Sequence, residues 1–215
     1  MPEPPPPGAT GNLLRDLALL QPGDQLLLFH TAQYLEFIQT ALASTQITGA
    51  KADTPAKLQA TITAAQHVLD AANGVPNDII DPITKTDLQA LGLDPAKLTV
   101  DGTITLLAGI IDASTPEKVN TPAKLEALLN LISAVMAEAA GTGTGTKTDA
   151  ELKDILTQLN VSFDGIDTAH NLPAIQEAIR ASKNDGSDIN TLDKLQAVVT
   201  AADEAQTAIR AYAGN

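Results

Sequence analysis

A chain of 215 residues with 13 basic and 26 acidic side chains, a formal charge of −13 and no cysteine has the length for one large or several small soluble domains. The composition excludes disulfide staples, thiolate zinc sites and thiol nucleophiles, and the lack of a basic cluster or aromatic stacking platform argues against nucleic acid as a partner. Hydrophobic residues make up 44% of the chain, but 35 of them are Ala and only five are aromatic, so the core is expected to be thin, built from closely approaching helices, and the fold class all-α.

Taken in chain order, residues 1–9 form a Pro-rich linker, with Pro4 to Pro7 as a stiff spacer that lacks the charged and apolar regions of a signal peptide. Residues 10–73 are expected to be a first helical module. Leu17-x-x-Leu20 marks a short first helix, Leu35, Ile38 and Leu42 a middle helix, and Thr54-Pro55 the start of a third, whose stripe is Leu58, Ile62, Ala65 and Leu69. The linker 74–83 carries two prolines and the Ile79-Ile80 pair, which suits a semi-rigid joint.

The second module spans 84–140. Thr86-x-x-Gln89 has the reciprocal capping pattern of a helix start, and Leu88-x-x-Leu91-Gly92-Leu93 reads as a helix end with Gly92 left-handed and Leu93 folded back. Ile104, Leu107 and Ile111 follow, then Thr121-Pro122 and the stripe Leu125, Leu128, Leu129, Ile132, Val135 and Met136. The Gly-Thr linker 141–146 has no packing residue and is expected to act as a hinge. The third module, 147–213, repeats the plan: Thr148-x-x-Glu151, Leu156-x-x-Leu159-Asn160-Val161, the triplet Leu172, Ile175, Ile179, and Thr191 ahead of Leu195, Val198, Val199, Ala202 and Ile209. The three capping threonines stand 67 and 70 residues apart, which makes the chain a tandem repeat of three three-helix bundles in an elongated array.

The third module, from Leu156 and Asn160-Val161 through His170-Asn171-Leu172-Pro173-Ala174-Ile175 and Ala178-Ile179 to Leu195-Gln196-Ala197-Val198-Val199, resembles the three-helix repeats, similar to the albumin-binding GA module, that stand in tandem in large secreted bacterial adhesins and biofilm proteins. The second module shares the resemblance in part and the first only in its last helix. The resemblance implies a cell-surface or extracellular location and no catalytic residue.

Candidate sites are few. Asp185 and Asp188, around the Gly186 turn, are the candidate calcium ligands, although the EF-hand spacing and its distal Glu are missing; no other cofactor is expected. His30, His67 and His170 are too scattered to suggest a zinc site, no Gly-x-Ser-x-Gly is present, and Gly141–Thr146 lacks the Lys of a phosphate loop. Carboxylate pairs such as Asp149 with Glu151 and Asp203 with Glu204 are expected on solvated helix faces. Phe29, Tyr34 and Phe37 gather three of the five aromatics and are the candidate partner-binding residues, against the plainer reading of a central, doubly packed helix. Unbroken apolar runs such as Leu26–Phe29 are far below the roughly 20 residues that cross a bilayer, so no membrane span is expected. These features point to a non-enzymatic structural or adhesive segment. A dedicated protein-binding module or an intracellular helical adaptor are the alternatives.

Overall fold

The computed structural model describes residues 22–43, 54–76, 78, 82–97, 101–139, 147–183 and 186–213, with side chains in the first stretch from Ala32 onward. Among the described residues the protein is all-helical: nine α-helices, one short 3-10 turn at Pro95–Lys97, and no strand. The helices are α1 (Pro22–Leu42), α2 (Pro55–Ala71), α3 (Lys85–Ala90), α4 (Asp101–Asp112), α5 (Pro116–Val119), α6 (Pro122–Ala139), α7 (Asp149–Gln158), α8 (Leu172–Arg180) and α9 (Leu192–Ala213). The 1–9 spacer, the Leu17–Leu20 helix, Ile79-Ile80 and the 141–146 linker lie outside the described residues.

The three threonines open equivalent helices. The hydroxyls of Thr54, Thr121 and Thr191 accept from the backbone N–H of Lys57, Lys124 and Lys194 at 3.3, 3.2 and 3.2 Å, each satisfying one donor that the first helical turn leaves orphaned. In α2 and α6 a proline follows, where its missing N–H costs nothing. A lysine so near a helix N-terminus sits at the unfavourable end of the macrodipole. Lys124 and Lys194 resolve this in the same way. Lys124 Nζ donates to the Glu117 carbonyl and to Asn120 Oδ1, both at 2.6 Å. Lys194 Nζ donates to the Ser187 carbonyl at 2.9 Å and to Asn190 Oδ1 at 2.8 Å. In both, the acceptors stand seven and four residues before the lysine.

Two helix ends follow the pattern read from sequence. Gly92 and Asn160 adopt φ of 85° and 64°, and the N–H groups of Leu93 and Val161 reach back to the Leu88 and Leu156 carbonyls at 3.0 Å. Leu93 and Val161 are buried, supplying the apolar contact of this cap. The start of α7 also matches, with Thr148 and Glu151 forming a reciprocal capping box. The start of α3 does not. Its cap is Thr84, paired with Asp87, and Thr86 lies within the helix; the Asp87 carboxylate accepts from the Thr84 backbone N–H at 2.9 Å, which begins the helix one residue before Thr86.

Small residues let the helices approach. α2 buries Thr61, Ala64, Ala65, Val68 and Leu69 beneath α1 and α3, and Thr61 donates to the Ala90 carbonyl at the end of α3 at 3.0 Å. The expected stripe is thereby turned, leaving Leu58 37% exposed. Among the described side chains of α1 the buried ones are Gln33, Phe37 and Ala41, and Leu35 faces solvent at 55%. Of the expected triplets of α4 and α8, Leu107, Ile111, Ile175 and Ile179 are fully or almost fully buried, while Ile104 and Leu172 are half-buried.

Helix α6 joins the two ends of this packing. It meets α4, α5 and α1 on one side and α7 and α8 on the other, so one continuous core runs from Phe37 to Ala202. The contact across residues 141–146 is polar as well as apolar. Buried Glu138 pairs with Arg180 Nε at 3.1 Å and accepts from the Lys147 backbone N–H at 3.4 Å, and Gln176 Nε2 donates to the Lys147 carbonyl at 2.6 Å. Asn160 Nδ2 donates to Ser114 Oγ, and Lys118 Nζ to Asn160 Oδ1, both at 3.0 Å. Gly186, at φ 70°, lies so close to α6 that a Cβ there would fall 2.6 Å from Met136 Sδ. The elements flanking the expected hinge are thus packed together, a contact that the Gly-Thr composition of the linker does not encode.

Asn160 therefore serves both a backbone turn and an interface. Asn160→Gly keeps the turn and removes the two side-chain bonds, and is expected to lower stability by about 1–3 kcal/mol. Asn160→Ala adds the penalty of a left-handed β-carbon and is expected to be less stable than the glycine variant in urea unfolding.

Candidate functional site

The aromatic trio of α1 separates on inspection. Phe29 lies in the stretch whose side chains are outside the described residues. Phe37 has no exposed surface and is core, so its ring offers no face to a partner. Tyr34 is half-buried, and its hydroxyl donates to the Asp70 carboxylate of α2. Burial first, then that bond and the Asp70 charge, push the phenol well above its ordinary range. Tyr34 ties α1 to α2.

Of the candidate metal ligands, Asp188 is engaged within its own loop. Asp188 accepts from the Lys183 backbone N–H at 3.2 Å and pairs with its ammonium at 3.3 Å; Asp185 lies outside the described residues. His67 Nδ1 is 3.3 Å from Asp87, the acid that caps α3, and His170 Nδ1 is 2.9 Å from Asp167; the His30 side chain is outside the described residues. Among the described residues no three His, Cys, Asp or Glu side chains converge as a metal site would require. Nor is any described helix long and apolar enough to cross a membrane.

The densest polar cluster was not anticipated as a unit. Asn171 and Asp203, expected respectively as part of a repeat pattern and as a solvated acid, are both buried. Asn171 Nδ2 donates to Asp203 Oδ1 at 2.7 Å and to Thr207 Oγ1 at 3.0 Å, and the Asp167 backbone N–H donates to the same Asp203 oxygen at 3.0 Å. Asp167 then receives Arg210 Nη1 at 2.7 Å and His170 Nδ1 on its carboxylate. Those two donors, Arg210 foremost, hold the Asp167 carboxyl below the usual range. Asp203 is corrected from a solvated helix face to a buried acceptor, because α9 turns that face toward the start of α8. A His-Asp pair can orient an imidazole for proton transfer, but here Asp167 is also held by Arg210 and no hydroxyl nucleophile is bonded to His170 among the described residues. The cluster fastens the segment between α7 and α8 to α9.

A groove of about 710 Å³ lies between α4 and the first turn of α9, walled by Ile83, Ile104, Ala108 and Leu192 and flanked by Pro76 and Pro82. Lys85, Asp112 and Asp193 are its charged lining residues, and Thr105 and Thr191 add hydroxyls. Its apolar walls and few charged groups suit an apolar side chain better than a charged substrate.

No family model, curated protein or solved structure matches the chain.

Asp167 binds its proton less readily in the folded state, so its contribution to stability is complete above the unfolded carboxyl value of about 3.9 and fades as pH falls through the lowered folded value. The stability difference between the parent and Arg210→Ala is expected to be largest near neutral pH and to shrink in acid, measured by urea unfolding across pH; a difference independent of pH would contradict the pairing. Phe37→Ala is expected to cost about 3–5 kcal/mol in the same assay.

Proposed function

We propose that this chain is a non-enzymatic structural and adhesive repeat segment of a bacterial cell-surface or secreted protein, in which three tandem three-helix modules form an elongated array that sets spacing and makes protein contacts. The supporting observation is the repeated Asn-Thr-x-x-Lys-Leu unit at 120–125 and 190–195, where the same lysine clamp closes the same helix start. Repetition of a joint, with polar groups joined to one another, belongs to a molecule whose product is shape. The surface location and adhesive role come from the resemblance of the third module to adhesin repeats. Neither a resident cofactor nor calcium at Asp185 and Asp188 is part of this reading.

A second reading, a dedicated protein-binding module of the albumin-binding kind, is favoured by the apolar groove beside Ile104 and Leu192. Two measurements separate the readings. Brief protease treatment of intact source cells is expected to remove the segment; protection until lysis would instead support an intracellular adaptor. Serum albumin passed over the immobilised full chain is expected to give no saturable binding, and saturable binding abolished by Ile104→Glu, with helicity retained, would favour the second reading.

A further inference from the structure

We infer that the C-terminal half of α9 is a docking face for a pair of short amphipathic helices of the α7–α8 kind, the opening helices of another module. The inference rests on the tandem-module reading and supplies its contact surface. Ala201, Ala205, Ala208, Ile209 and Tyr212 recur at the spacing of one helical face, and all five are exposed, Ile209 at 61% and Tyr212 at 87%. Asp203, Thr207 and Arg210 hold the opposite face of this half to the segment before α8, whereas the apolar stripe is left uncovered among the described residues.

The chain itself shows what covers such a face. Helices α6 and α9 begin at Thr121 and Thr191 with the same cap and the same lysine clamp, so a shift of 70 residues aligns them. Their burial agrees through the first three turns: Leu125, Leu129 and Ile132 are buried, as are Leu195, Val199 and Ala202. It then diverges. Val135, Glu138 and Ala139 are buried in α6, where α7 and α8 pack, while their counterparts Ala205, Ala208 and Ile209 are exposed. The end of α6 that meets Arg180 of α8 through Glu138 corresponds to the end of α9 where Ala205, Ala208 and Ile209 are exposed.

The substitutions also define the partner. At the position of Glu138, which pairs with Arg180 of α8, α9 carries Ala208, so the matching unit is one that brings an apolar side chain where α8 brings its guanidinium. Ile209 in place of Ala139 makes the seat bulkier and more apolar.

The test extends the full chain by a second copy of residues 146–213 placed directly after Asn215, which keeps eight residues between Ile209 and the appended threonine cap, as between Ala139 and Thr148. Hydrogen exchange of the amides of 205–213 is expected to slow by about tenfold or more relative to the parent. Ala208→Glu, which restores the partner of the appended copy's arginine, is expected to slow it further, and Ile209→Asp to return it to the parent rate. A helical appended copy with exchange at 205–213 unchanged would overturn the inference, as would failure of the copy to fold on α9. Concentration-dependent protection of 205–213 in the parent chain, with a dimer in sedimentation, would also overturn it in favour of self-association. None of these outcomes depends on where the protein resides in the cell, so the surface-location reading stands or falls separately.

Discussion

Burial of α6 on two sides is the constraint on which the rest of the structure depends. A helix that faces one core needs a single apolar stripe, but α6 meets α4 and α5 on one flank and α7 and α8 on the other. Leu125, Leu129, Ile132 and Val135 are fully buried, and the helix ends in alanines that permit close approach. The one acid drawn inside, Glu138, is tolerable because Arg180 and the Lys147 backbone both donate to it. With only five aromatic rings in the chain, stability has to come from many close contacts among small and branched side chains.

Cations are scarce in this acidic chain, and several stand where two elements meet. Lys97 spans from the 3-10 turn to Glu126 and Asn130 of α6; Lys118 reaches Asn160; Arg180 reaches Glu138; Arg210 reaches Asp167. An exposed ion pair alone adds little. A lysine that satisfies carbonyl and amide oxygens at a chain reversal does more, because it fixes the angle at which the next helix departs. Glu117, which accepts from Gln33 across the α1–α5 contact, is held in its charged form chiefly by its own backbone N–H and then by the Thr115 hydroxyl.

Local chemistry made the helix ends legible. Thr121 with Pro122, Gly92 before Leu93, Asn160 before Val161, and Thr148 with Glu151 each bring their partners within a few residues, so short-range spacing suffices. Thr84 and Thr86 show the resolution of such reading: both have a plausible acceptor three residues on, and only the carboxylate of Asp87 closes the box. Helix faces were less legible. Leu35, Leu58 and Ile209 have the right period for a core stripe, but which side of a helix is covered depends on neighbours distant in sequence. Asp203 looked solvent-facing because its partner Asn171 is 32 residues away. The breadth of the apolar band on α6, which includes Leu128, Leu131 and Met136 beside the central stripe, was the available sign that it serves two neighbours.

That shared helix has a consequence for how the molecule comes apart. Melting the α7–α8 pair would strip water-excluding cover from Val135 and Ala139 and leave Glu138 without Arg180, and melting α4 would bare the opposite flank of the same helix. Neither neighbour can be lost without weakening the other. Regions that look separable in sequence are thereby linked in their unfolding, with much of the cooperativity passed through one eighteen-residue element.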